Sequence, residues 1–187
     1  MPQPGNDRAP RQASAFFALL PDRETISNIR FHAAQCSPDT GNLVAADNYH
    51  ITLLFLGHLD PQQGEALCTD CDSINLPPVS LTIDTPGWWQ KAGIFWLGPA
   101  ITPAALNTLH DTLTRMAMRR QLVPDRHRFV PHITPMRQVQ HPPQYPVVKP
   151  FTWRAERFSL MQSDLRPEGV RYTEIAAWPL TGSGVQR

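Results

Sequence analysis

At 187 residues and 41% hydrophobic content, the chain carries enough apolar material to bury the core of one domain, which excludes disorder as its general state. Lys and Arg total 17 against 16 for Asp and Glu, a formal charge of +1 that excludes a global attraction to a nucleic-acid backbone, so any phosphate recognition has to be local. The three cysteines, Cys36, Cys68 and Cys71, cannot all pair, which excludes a disulfide scaffold and suits a reducing compartment.

Residues 1–13 mix Pro, Gly, Asn, Gln and Arg without apolar periodicity and read as a flexible tail, leaving residues 14–187 for one bilobal domain. The run from Ala15 to Leu20 reads as a strand. It is too short for a signal segment or a membrane span, so a soluble, cytoplasmic protein with no membrane partner is expected. Pro21 to Gln35 reads as a helix with Ile26, Ile29 and Phe31 as its apolar positions, and a loop over residues 37–48 leads to a strand from His50 to Leu56, closed by Gly57.

Residues 61–74 give a weaker helical pattern, followed by a strand from Val79 to Thr85, a hairpin loop from Pro86 to Gly93, and a strand from Ile94 to Leu97. The helix over Pro103 to Leu122 is the most regular: Leu106, Leu109, Leu113, Met116 and Met118 fall largely on one side, and Arg115, Arg119 and Arg120 crowd the end where the helix dipole favours cations. A strand is expected from Phe129, then two long strands, Thr152 to Met161 and Val170 to Trp178, joined through residues 162–169. Cys68-Thr-Asp-Cys71 has the spacing of half a zinc knuckle, but no matching second ligand pair follows, so no metal and no cofactor is expected.

The order of elements occurs twice. Apolar strand, proline, helix, loop and His-Ile-Thr strand describe the first half; Ile94 to Leu97, Gly98-Pro99, helix, loop and His-Ile-Thr strand describe the second. Such a repeat predicts an α+β fold of two pseudo-symmetric lobes, with antiparallel-rich sheets lining a central cleft and helices outside.

Side chains alternate along a strand, so His50 and Thr52 share one side, about 7 Å apart, while Ile51, Leu53 and Phe55 turn to the core; His132 and Thr134 repeat the arrangement. Two imidazoles and two hydroxyls converging on one point suit a phosphodiester. One imidazole takes a proton from water, the other protonates the departing oxygen, and the hydroxyls hold the charged non-bridging oxygens. A duplicated triplet is hard to attribute to packing, which makes no demand on the polar side of a strand. Residues 126–128, Arg-His-Arg, read as a basic rim or a solvated loop, and Trp88 and Trp89 as base-stacking or packing aromatics; His32, His58, His110 and His141 lack a threonine two residues on and read as structural.

Residues 48–57 (NYHITLLFLG), 129–137 (FVPHITPMR) and 171–173 (RYT), with Phe16-Phe17-Ala18 at the start, resemble the 2H phosphoesterase superfamily and, within it, the RNA 2′,3′-cyclic phosphodiesterases, also called 2′-5′ RNA ligases. The resemblance implies hydrolysis of RNA 2′,3′-cyclic phosphate ends to 2′-phosphates by a monomer, possible in reverse as ligation. It implies His50 as donor to the leaving 3′-oxygen, His132 as the base and Arg137 at the phosphate. Regular alternation from His132 would turn Arg137 away from the cleft, and Pro135, which cannot donate to a ladder, marks an edge, a bulge or the strand's end. The competing readings are a non-catalytic RNA-end or nucleotide-binding protein, or the same chemistry on small cyclic nucleotides, 2′-5′ oligonucleotides or an ADP-ribose cyclic phosphate.

Overall fold

The computed structural model describes residues 13–36, 41–124, 128–144, 148–166 and 169–182. Residues 1–12 of the expected tail, and Arg126 and His127 of the expected basic rim, lie outside the described residues. In chain order the elements are β1 (Ser14–Leu19), α1 (Arg23–Ala34), β2 (Asn42–Leu43), β3 (Ile51–Gly57), α2 (Pro61–Cys71), β4 (Val79–Ile83), β5 (Thr85–Trp89), β6 (Ile94–Gly98), α3 (Ala104–Arg119), β7 (Ile133–Arg137), β8 (Phe151–Ala155), β9 (Arg157–Arg166) and β10 (Gly169–Pro179). The architecture is α+β. One sheet has the order β10-β9-β1-β3, a second β2-β7-β6-β5, and β4 pairs with β8 in a short third, every pairing antiparallel.

Local chemistry sets the boundaries. Helix α1 starts at Arg23 because Asp22 takes the capping position, its carboxylate accepting from the Thr25 amide at 2.7 Å. Helix α2 opens with Pro61 and a reciprocal Asp60–Gln63 capping box. In α3, Leu106, Leu109, Leu113 and Met116 are buried, but Met118 is exposed: nine residues past Leu109, it points to the opposite side of the helix. Phe31, two residues past the buried Ile29, is turned to solvent for the same reason.

Three expected strand or loop boundaries are also corrected. The segment expected as a hairpin loop from Pro86 to Gly93 contains strand β5; the chain reverses at Gln90–Ala92, with Gly93 in the left-handed region (φ 59°) closing the turn. The strand expected over Thr152 to Met161 is two: Phe151–Ala155 pairs with β4, and past Glu156 the chain joins the first sheet beside β1. The strand expected from Phe129 begins only at Ile133.

The repeat is visible in the pairing register. Between β1 and β3 the partners are Leu19 with Ile51, Phe17 with Leu54 and Phe16 with Phe55; between β6 and β7 they are Leu97 with Ile133, Phe95 with Met136 and Ile94 with Arg137. Both motif strands carry an extra residue at the same place, just after the threonine. The bulge leaves adjacent residues buried, Leu53 with Leu54 and Pro135 with Met136, and returns the next residue to the outside. Phe55, expected in the core, is therefore 47% exposed, and Arg137 occupies the equivalent exposed position. The helices cross over: α1, which follows β1, packs on β7 and β8, whereas α3, which follows β6, packs on β3. Each motif strand is thus buttressed by the helix of the other half.

Candidate active site

Both motif histidines sit one residue ahead of their strands and are held in the same way. The His50 Nδ1–H donates to the Asn48 carbonyl at 2.8 Å, and the His132 Nδ1–H donates to the Val130 carbonyl at 2.8 Å. A carbonyl can only accept, so each ring carries its proton on Nδ1 when neutral and leaves Nε2 unprotonated. The His50 Nε2 lies 3.1 Å from the Thr52 hydroxyl and, when bare, accepts its hydrogen.

Aromatic rings fix both imidazoles. Phe16 and Tyr172 each lie 5.0 Å from the His50 ring, as part of a small cluster formed with Ala18, Met161 and Leu20. Trp89 meets His132 edge-on at 4.4 Å and is backed by Trp96. These walls remove water and disfavour the charged imidazole. Burial pushes His50 down to about 4 against a modest upward pull from the Asn48 carbonyl, with the nearby charges of His132 and Arg137 adding to the depression. Burial also lowers His132, the Val130 carbonyl opposes it, and Arg137 adds to it. The two histidines and Arg137 are therefore close enough to feel one another's charge.

Two cavities are lined by these residues. One, of about 460 Å³, is lined by His50, Thr134 and Arg137, with Asn42, Asn48, Gln138 and Tyr172 around them. The other, of about 390 Å³, is lined by Thr52 and His132, with Phe55, Trp89, His110, Arg128 and Phe129. The pairing is crossed, His50 with Thr134 and Thr52 with His132. The His50–Thr52 hydrogen bond links a lining residue of the first cavity to one of the second. Their characters differ because the equivalent positions after the two bulges hold a cation, Arg137, on one side and an aromatic, Phe55, on the other.

All five residues singled out from sequence line these two cavities: His50, Thr134 and Arg137 the first, Thr52 and His132 the second. The alternation that would turn Arg137 away is broken by the bulge at Thr134–Pro135, the second of the three outcomes Pro135 allowed. Arg128 of the basic rim lines the aromatic cavity. Of the two tryptophans, Trp89 faces the cleft, while Trp88 packs on the core and donates to the Val139 carbonyl at 3.3 Å. His32 is buried beneath Phe151, His58 lies beside α2, and His141 is exposed. Cys36, Cys68 and Cys71 are free thiols, with Cys71 pushed up to about 12 by burial, which leaves it protonated and unreactive. Sequence reading missed Phe55, Phe129, His110 and the Asn42–Gln138 contact of 2.6 Å at the cleft edge. Superimposing the two His-Ile-Thr segments residue by residue would have paired Phe55 with Arg137; the other three carry no local signal.

Gly98 lies close against the residue that precedes His132. A Cβ there would lie 2.6 Å from the carbonyl oxygen of Pro131, and backbone yields less readily than a side chain. Gly98→Ala should therefore shift Pro131 and the imidazole after it, with turnover falling about tenfold or more, since a misplacement near 1 Å can cost 10²-fold. Steady-state kinetics on a folded variant would check this; wild-type turnover would show that the segment relaxes freely.

Residues 20–96 match the family described as LigT like phosphoesterase. Among curated proteins, the RNA 2′,3′-cyclic phosphodiesterase of Escherichia coli K12 is 33% identical over 169 residues, 89% of this chain and 96% of that one. The Bacillus subtilis 168 protein of the same name is 28% identical over 89% of this chain and 96% of its own length. Among solved structures, the crystal structure of E. coli LigT complexed with 3′-AMP superimposes with a TM-score of 0.80 at 31% identity, covering 90% of this chain and 98% of that one. A Thermus thermophilus protein, at 22% identity and a TM-score of 0.75 over 91% of this chain and 100% of that one, shares the fold.

Proposed function

The chain belongs to the LigT-like phosphoesterase family, and from that premise we propose that it hydrolyses RNA 2′,3′-cyclic phosphate ends to 2′-phosphates by two-histidine acid/base catalysis, as a cytoplasmic monomer needing no cofactor. The observation that carries the reading is the pair of equivalently tethered imidazoles, each with Nδ1 committed to a backbone carbonyl and each lining a cavity together with a threonine of the other motif.

In this mechanism Arg137 and the two threonine hydroxyls hold the non-bridging phosphate oxygens. The His132 Nε2 takes a proton from the attacking water, the P–O3′ bond breaks, and the His50 Nε2–H passes its proton to the leaving 3′-oxygen. The free protein keeps His50 neutral, so the acid form has to be created on binding. A phosphate anion between the rings supplies the charge that raises both imidazoles. Protonation of the His50 Nε2 also ends its acceptance from Thr52, releasing that hydroxyl to donate to the phosphate. Trp89, Phe55 and Phe129 offer stacking surface to a base on the His132 side. Ligation is the microscopic reverse and uses the same groups.

A pH signature follows. The productive form holds one proton on the pair, and in the free protein both histidines titrate below the ordinary 6.5. The bell for kcat/KM, which reports the free enzyme, should therefore centre below pH 6.5, and the bell for kcat should lie at higher pH because bound phosphate raises both groups. Coincident bells centred above pH 7 would contradict this electrostatic account.

Turnover should also survive EDTA. The donor set of the cleft is two imidazoles with Nδ1 committed to carbonyls, two hydroxyls and a guanidinium; among the described residues no three His, Cys, Asp or Glu gather as metal ligands. Activity lost in EDTA and restored by a divalent ion would indicate a metallophosphoesterase instead. The same assay across cyclic-phosphate-ended RNAs, small cyclic nucleotides and 2′-5′ oligonucleotides identifies the preferred substrate, and binding without turnover of any would identify an RNA-end binder.

A further inference from the structure

The bulge that returns Phe55 and Arg137 to the cleft leaves one carbonyl in each motif strand, Leu53 O and Pro135 O, at the irregular step. In the second sheet, the Pro135 carbonyl accepts from the backbone amide of Val44, just past β2, at 2.8 Å. The first sheet has no strand in that place among the described residues, because β3 is its edge. There the Leu53 carbonyl accepts instead from the Nδ1–H of His110, reaching across from α3, at 2.7 Å. A single imidazole thus does in one half what a strand does in the other.

The same ring has a second attachment. It stacks on Phe129 with centroids 4.2 Å apart and planes 4° from parallel. Phe129 lies just before Val130, whose carbonyl tethers His132. We propose that His110 is a positioning residue for the reaction: it holds the Leu53 bulge that aims Thr52, and through Thr52 the His50 Nε2, and it clamps that bulge to the segment carrying His132. The two motifs come from different sheets, and His110 bridges them directly at the cleft wall, touching one through a hydrogen bond and the other through a ring face. With its Nδ1 hydrogen given to the carbonyl, it supplies geometry rather than a proton.

This inference rests on the proposed hydrolysis, and the test separates the two. His110→Phe keeps a ring to stack on Phe129 but removes the donor; His110→Asn places an amide N–H near the position of Nδ1 and removes much of the stack. On a cyclic-phosphate-ended RNA, His110→Phe should lower kcat about tenfold or more with KM changed by less than about threefold, because misaligned catalytic groups cost rate rather than ground-state binding. His110→Asn should recover most of that loss. A wild-type protein that does not turn over the RNA would sink the hydrolytic reading itself. With wild-type turnover established, a fully active His110→Phe, or a His110→Asn as impaired as it, would overturn the positioning role. If His110→Phe does not fold, the wild-type protein still decides: nuclear magnetic resonance should show a slowly exchanging Nδ1 proton on His110, and an Nε2–H tautomer or a freely exchanging ring would overturn the proposal.

Discussion

Replacing His50 or His132 by Ala should lower turnover of a cyclic-phosphate-ended RNA by roughly 10²–10⁴ each, the range for losing one positioned proton-transfer group. Both rings stand at the cleft, outside the continuous core that holds Ile51, Leu53 and Ile133, so the variants should fold and still bind phosphate-bearing ligand. The losses should not add. A base without its acid leaves the 3′-oxygen to depart unprotonated, and an acid without its base leaves the water unactivated, so the double variant should be little worse than the poorer single one. Thr52→Ala and Thr134→Ala should be milder, since each removes one hydrogen bond to a charged oxygen while the proton relay stays intact. Stopped-flow or quench kinetics on all five proteins would read the pattern; multiplicative losses in the double variant would mean that the two histidines work independently.

The second large effect is expected at Arg137. Its guanidinium is the cationic group at the equivalent of Phe55, lining a cavity with His50 and Thr134, and it is exposed, placed to receive an anion. Arg137→Met keeps the length of the side chain and removes the charge, so turnover should fall roughly 10²–10³, in line with loss of a preorganised donor to a developing negative charge. The substitution should also move the pH profile. Arg137 lowers both imidazoles, so its removal raises them in the free protein, and the kcat/KM bell should shift to higher pH. A variant slowed without any shift would place Arg137 on the phosphate but not in the field of the histidines.

How far the sequence reached depends on the kind of signal. The candidate site is legible because its motif is duplicated: His-Ile-Thr occurs twice, each time after a strand, a helix and a loop, and the registers of β1 with β3 and β6 with β7 repeat that order in three dimensions. The fate of Arg137 and Phe55 was not legible, because plain alternation holds only until a strand is interrupted. Pro135 hinted at the interruption, whereas Leu53-Leu54 looks like any apolar run. The division of residues 151–166 between two sheets was hidden for a similar reason: Glu156 is one polar residue among many that alternate, and only the competing partners β4 and β1 show where the strand must break. His110 reads from sequence as another helical residue. Its meaning comes from a carbonyl 57 positions away and a ring on a third segment, which no local pattern records.

The central claim, that these two imidazoles together open a cyclic phosphate, is tested most directly by ³¹P nuclear magnetic resonance of a 2′,3′-cyclic-phosphate-ended RNA. The spectra would follow the wild-type protein and the folded His50→Ala, His132→Ala double variant side by side in EDTA. The account predicts conversion of the cyclic resonance to that of a 2′-phosphate by the wild type, and a cyclic end left essentially intact by the double variant. A 3′-phosphate product, or wild-type-like conversion by the double variant, would contradict it.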